Sequence, residues 1–126
     1  MDKRHLLGKK GEKAACKYLR KNKYEIIYTN FSTKLGEIDI IAEKGKYIAF
    51  VEVKTRSEGQ MLEPALSVDK KKRHRIFAAA ATYLNKYKIQ KQPRYDIAEV
   101  IANDKGKMSI NYIENAFWQE EDYAVF

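Results

Sequence analysis

The chain has 126 residues, enough for one domain of roughly 100–200 residues and too few for a multi-domain machine or a long solenoid. It holds 44% hydrophobic and 12% aromatic residues with 6 Gly and 2 Pro, which supports a packed core and excludes disorder as the ground state. Lys and Arg number 25 against 17 Asp and Glu, a net +8 that favours a polyanionic partner, either nucleic acid or an acidic membrane face; a solvated lysine-rich surface is the plainer alternative.

The single cysteine, Cys16, has no intrachain partner and fits a reducing, cytoplasmic setting. Its neighbours Ala14, Ala15 and Leu19 make it a buried thiol rather than a nucleophile. His5 and His74 lack metal-ligand spacing. No run of roughly 18 apolar residues exists, so no membrane span is expected. The stretch from Met1 to Leu7 lacks the apolar run of a signal peptide.

The first segment, Gly8 to Asn22, reads as a helix: Ala14/Ala15 and Tyr18/Leu19 recur at helical spacing, and Lys9, Lys10, Lys13, Lys17, Arg20 and Lys21 fill the other face. Tyr24 to Asn30 is rich in β-formers and reads as a strand. Ser32 to Gly36 is a turn. Glu37 to Glu43 alternates, which puts Ile38 and Ile40 on one side and Glu37, Asp39 and Ile41 on the other. Glu43 to Lys46 is a hairpin turn with a glycine for positive φ, and Tyr47 to Thr55 is the strand that follows.

Arg56 to Leu66, with Gly59 and Pro64, reads as a loop. Ser67 or Asp69 can cap a second helix reaching Tyr87, on which Ile76, Ala79/Ala80, Tyr83/Leu84 and Tyr87 form an apolar stripe. Strands are expected at Arg94–Ala102 and Met108–Glu114, joined by a turn at Asn103–Lys107. From Asn115 onward the chain is aromatic and acidic, with Phe117, Trp118, Glu120, Glu121 and Asp122. The order α-β-β-β-α-β-β makes a single domain over residues 1–126 in which helices can cover both faces of one sheet, a three-layer α/β or α+β arrangement.

The two middle strands carry charge inside apolar runs: Asp39 in IDII, Glu52 and Lys54 in FVEVK. Buried carboxylates are costly unless paired or bound to a cation. Glu52 and Lys54 share one face. A hairpin loop with an even number of residues puts Asp39 on that face too. A loop of Lys44 to Tyr47 sets Asp39 directly opposite Glu52, a loop of Lys44-Gly45 makes the two diagonal, and an odd loop separates them. Two adjacent carboxylates repel unless something positive lies between them. Lys54 is one candidate. A divalent cation such as Mg²⁺, with Mn²⁺ as a substitute, serves better, and frees the lysine to act where negative charge grows on a phosphate.

The Gly36-Glu37-Ile38-Asp39-Ile40-Ile41 strand followed by Phe50-Val51-Glu52-Val53-Lys54-Thr55-Arg56 resembles the PD-(D/E)-x-K nuclease superfamily. More closely, the chain resembles the small bacterial YraN-like family with that restriction endonuclease-like fold. The likeness extends to Gly8-x-x-Gly11-Glu12-x-x-Ala15, Ser67-Val68 with Lys72, Arg94-Tyr95-Asp96 and Asn115-Ala116-Phe117. The resemblance implies a three-layer α/β fold with a mixed central sheet, and DNA phosphodiester hydrolysis, with branched or processed DNA among the substrates. It implies Asp39 and Glu52 as metal ligands and Lys54 as the catalytic lysine. Glu12 is a further candidate ligand and Glu37 a candidate outer-sphere partner. Related resolvases are symmetric dimers, so a homodimer is compatible with it.

The basic run Lys70-Lys71-Lys72-Arg73-His74-Arg75 opens the second helix, against the preference of the helix dipole for acidic groups there. Phosphate binding explains that placement, which makes Lys70, Lys71, Lys72, Arg73 and Arg75, with Arg56, candidate nucleic-acid contacts. Two further readings stay open: a nuclease-fold protein that binds nucleic acid in DNA processing or uptake without cutting, and a cationic adaptor for a protein partner. Arg94 and Asp96 share a strand face and read as a structural ion pair.

Overall fold

The computed structural model describes residues 3–59 and 68–119, with side chains from residue 6 onward. The loop expected around Pro64, the cap option at Ser67 and the acidic stretch from Glu120 lie outside the described residues, as does the side chain of His5. The elements are α1 (Lys3–Lys21), β1 (Glu25–Ser32), β2 (Glu37–Lys44), β3 (Tyr47–Ser57), α2 (Lys70–Lys86), β4 (Gln92–Ala102) and β5 (Met108–Phe117). They form an α/β fold in the expected order. The strands make one mixed sheet in sequence order, antiparallel everywhere except between β3 and β4. A parallel pair needs a crossover, and α2 supplies it.

Helix α1 starts earlier than expected, because Gly8 weakens a helix without breaking it and no proline or capping residue stands between Lys3 and Gly8. It ends where Lys23 turns to φ 72°. Helix α2 is capped by Asp69, whose carboxylate accepts from the Lys72 N–H at 2.8 Å. Tyr83 is core, but Tyr87 lies just past the helix end, where it is 46% exposed and packs on Tyr83. Among the described residues no helix is long and apolar enough to cross a membrane.

The helices cover opposite faces of the sheet. Ala15 and Leu19 of α1 pack on Ile40, Ala42, Ala49, Val51, Ala98 and Val100. Ile76, Phe77, Ala80 and Tyr83 of α2 pack on Ile38, Ile41, Phe50, Tyr95 and Ile97. One expectation fails here: Ile38 and Ile40 do not share a side. Ile38 lies under α2 and Ile40 under α1. The alternation breaks at Asp39, between them, and across the ladder Asn30 of β1 takes φ 56°, with Thr29 paired to Ile40 and Phe31 to Ile38. Asparagine tolerates that left-handed backbone better than most residues.

Strand β5 runs past Glu114 to Phe117 because of a second irregularity. Asn115 adopts φ 52° and its N–H donates to Asp96 Oδ1 at 2.8 Å, which lets Phe117 rejoin the ladder opposite Tyr95. Asp96 is fully buried and also accepts from Arg94 at 2.8 Å and from the Tyr112 hydroxyl at 2.5 Å. Arg94 in turn donates to the Tyr24 hydroxyl. The expected Arg94–Asp96 pair is thus a structural tie between β4, β5 and the start of β1.

Two glycines set how closely the helices approach. A Cβ on Gly11 would overlap Thr55 Oγ1, and one on Gly36 would overlap the backbone carbonyl of Arg75, whereas Gly8 faces open space. Gly11→Ala and Gly36→Ala are therefore expected to destabilise by about 1–3 kcal/mol. Gly8→Ala is expected to stabilise by about 0.5–1 kcal/mol through helix propensity. Chemical denaturation of the three variants checks the ranking. Asp96→Asn, which strands the Arg94 charge, is expected to cost about 3–5 kcal/mol in the same experiment.

Candidate functional site

The β2–β3 hairpin turns through Gly45 (φ 59°) and Lys46, with Lys44 paired to Tyr47. This two-residue loop sits one position later than Lys44-Gly45, so its register is the one expected of the longer loop: continued past Ile40–Val51, it sets Asp39 opposite Glu52. The recorded ladder ends at Ile40–Val51. Beyond it the Asp39 carboxylate accepts the Val53 N–H at 2.8 Å, a side chain taking the place of a strand partner. The strands part here, and the gap between them is lined by acid.

Both helices are drawn to this gap. Close contact at Gly11 brings α1 onto Thr55 of β3. Glu12, the next residue, accepts from the Asn30 amide at 2.7 Å. On the other face, Gly36 seats the start of β2 against α2. There Lys72 Nζ lies 2.6 Å from Glu52 Oε1, and Lys54 Nζ lies 4.0 Å from the same oxygen. Glu52 is only 7% exposed.

The electrostatics follow from burial and crowding. Burial first, then the Glu52 charge, push the Asp39 carboxyl up to about 7; the Val53 N–H pulls the other way. Burial and the facing Lys72 ammonium hold Lys54 below the ordinary lysine range. Burial also works against the charge on Lys72, but Glu52 outweighs it and keeps Lys72 above that range. Carboxylates and ammonium groups here are mutually dependent, unlike the self-contained Asp96 network.

The other sequence candidates disperse. Glu37 is exposed at the start of β2, opposite Ser32. Arg56 Nε donates to the buried Glu99 at 2.9 Å. Arg73 Nε donates to the Val68 carbonyl, and its guanidinium lies 5.5 Å from the Phe117 ring centre. Lys70, Lys71 and Arg75 are exposed around a shallow surface shared with Leu35 and His74. The anion at the start of α2 is the chain's own Asp69.

Sequence reasoning left one feature unassigned. A cleft of about 940 Å³ runs along α1, lined by Lys9, Lys13 and Arg20 together with Glu12, Asn30 and Asp39. The signal was present in the basic face of the first helix, where positions 9, 13 and 20 fall on one side at helical spacing. Cys16, buried as expected, also lines the cleft, and burial raises its thiol pKa.

Among the described residues no three His, Cys, Asp or Glu side chains gather to enclose a metal ion. The available donors are the oxygens of Asp39 and Glu52. That set fits Mg²⁺ or Mn²⁺, since Mg²⁺ is commonly held by one or two carboxylates and completed by water and phosphate oxygens. Burial raises Asp39 first, and the repulsion from Glu52 that adds to it is what such an ion would relieve.

Residues 11–100 match the family described as "Uncharacterised protein family UPF0102". The matched stretch contains Glu12, Asn30, Asp39, Glu52, Lys54 and Lys72. A UPF0102 protein of Alkaliphilus metalliredigens is 47% identical over 112 residues, covering 88% of this chain and 96% of its own length. That of Parabacteroides distasonis is 41% identical, covering 94% and 97%, and that of Caldicellulosiruptor saccharolyticus 40% identical, covering 93% and 100%. By profile and by full-length identity, this chain belongs to the UPF0102 (YraN-like) family.

Proposed function

We propose that this protein is a divalent-cation-dependent nuclease of the PD-(D/E)-x-K type that hydrolyses DNA phosphodiester bonds. The observation that carries the reading is the meeting of Asp39, Glu52 and Lys54 where β2 and β3 separate, beside a cation-lined cleft. Asp39 and Glu52 would hold Mg²⁺, with Mn²⁺ a substitute. When bound, that ion supplies Lewis-acid polarisation of the phosphate and lowers the pKa of a coordinated water.

The chain's own residues do the rest. Lys54 presents its N–H donors where charge grows on the phosphate oxygens, and a preorganised donor in a half-buried site is worth more than one in water. The bond from Asn30 fixes Glu12 in place on the wall of the cleft. Lys9, Lys13 and Arg20 neutralise backbone phosphates along α1. Lys70, Lys71 and Arg75 supply a second cationic patch around the exposed start of α2.

One observation favours a second reading, binding without cleavage. Lys72 already neutralises Glu52 at 2.6 Å, so the carboxylates have a structural partner without a metal ion. A panel of duplex, single-stranded, flapped and four-way DNA, plus RNA, with and without Mg²⁺ or Mn²⁺, separates the two. The nuclease reading expects products only with a divalent cation. It also expects Asp39→Asn, Glu52→Gln and Lys54→Ala each to slow cleavage by about 100-fold or more, in line with loss of one transition-state stabiliser, while leaving binding within a few-fold. Salt-sensitive binding with no products from any substrate supports the second reading. Undiminished cleavage by the three variants would place the chemistry elsewhere.

Asp39 also sets a pH test of the cation-free protein. A carboxyl at about 7 when folded, against about 3.9 unfolded, imposes nothing at low pH, where both states are protonated. Its ionisation penalises the folded state increasingly from about pH 4 to 7 and constantly above. In chelator, the melting-temperature advantage of Asp39→Asn over wild type should widen across that window and then level. An offset that does not change with pH would show that this carboxyl titrates normally.

A further inference from the structure

Lys72 stands apart from its basic neighbours. Its backbone N–H is fixed by the Asp69 cap, while its side chain turns inward to Glu52 at 2.6 Å and keeps 42% exposure. Two carboxylates, Asp39 and Glu52, meet two ammonium groups, Lys54 and Lys72, and Glu12 adds a third negative charge that acts on Asp39. An ammonium nitrogen this close occupies the direction from which a cation would approach Glu52 Oε1. A divalent ion and Lys72 compete for that oxygen, because two positive charges held side by side in a half-buried site repel.

We propose that Lys72 is an exchangeable counter-ion of the site: it holds Glu52 until a divalent cation takes its place, and then turns to the phosphodiester. The proposal rests on the nuclease reading above and adds an order and a coupling to it. Cation entry without nucleic acid must displace Lys72 and leave its charge unpaired. A phosphodiester beside the site accepts that charge. Cation and polyanion therefore bind cooperatively, each strengthening the other by the same factor. Lys72 is in this sense a competitor of the cation at Glu52 and a direct ligand of the phosphate.

The test is calorimetry with Mn²⁺ alone, then with a phosphorothioate oligonucleotide that resists cleavage. Lys72→Met is expected to bind Mn²⁺ at least 10-fold more tightly than wild type without the oligonucleotide. Lys86→Met, which removes an exposed lysine at the other end of α2, should stay within about two-fold of wild type, and Lys72→Arg should bind no more tightly than wild type. The oligonucleotide should tighten Mn²⁺ binding at least 10-fold in wild type and under 3-fold in Lys72→Met. A readout on the unmodified protein guards against a variant that fails to fold: mass spectrometry should show Lys72 acylated by an amine reagent at least 3-fold faster once Mn²⁺ saturates the site. Equal Mn²⁺ affinity in wild type and Lys72→Met, or unchanged Lys72 reactivity, overturns the exchange while the nuclease reading survives. Absence of Mn²⁺ binding in both proteins, with or without oligonucleotide, overturns both.

Discussion

The hydrogen bond from the Val53 N–H to the Asp39 carboxylate is the constraint on which the site depends. In an unbroken antiparallel ladder that donor would find a backbone carbonyl, and the two central strands would stay zipped. Here a side chain satisfies it, so β2 and β3 separate without leaving a buried N–H unpaired. The separation opens the middle of the sheet to both helices. It also fixes an acid within reach of Glu52, whose charge, with burial, drives Asp39 toward neutrality. The alternation break between Ile38 and Ile40 is the same event seen from the core: two residues apart, Ile38 packs under α2 and Ile40 under α1.

The acidic sites at Asp96 and at Asp39 with Glu52 show how structure and reactivity diverge. Asp96 has Arg94, Tyr112 and the Asn115 N–H around it, and its charge is fully answered from within the fold. Such a group is costly to disturb and has nothing left to offer a ligand. Asp39 and Glu52 are answered by one backbone N–H and two lysine side chains, both of them partly exposed. Their charges are balanced only in part and by groups that can move. That difference, rather than burial itself, separates a structural carboxylate from one available for chemistry.

Much of this was legible in the sequence because it follows from short-range rules. The order of elements came from hydrophobic period and turn residues, and the even parity expected of the Gly45 hairpin matches the register of β2 on β3, which ends at Ile40–Val51, one pair short of Asp39 and Glu52. What escaped was non-local or non-periodic. Strict alternation could not foresee the reversal at Asp39, because it depends on Asn30 across the ladder taking a left-handed backbone. The extension of β5 to Phe117 depends on a bulge stabilised by Asp96, nearly twenty residues earlier in the chain. The basic helix face at Lys9, Lys13 and Arg20 was visible, but only the approach permitted by Gly11 turns it into a wall of the cleft.

The cationic run on α2 shows the same limit at finer grain. Adjacent residues on a helix are about 100° apart, so six successive charges cannot serve one surface. Arg73 turns under Phe117 and Lys72 reaches Glu52, while Lys70, Lys71 and Arg75 stay outside. Topology decides which of them meets the site. A parallel β3–β4 pair requires a crossover that leaves from the far end of β3, so α2 must begin beyond the strand that carries Glu52 and Lys54. The packing of Gly36 on Arg75 then fixes the rotation of the helix, and with it the residue that faces inward. A lysine delivered to the acidic gap is therefore a consequence of the crossover and of one missing Cβ, not of the density of positive charge around it.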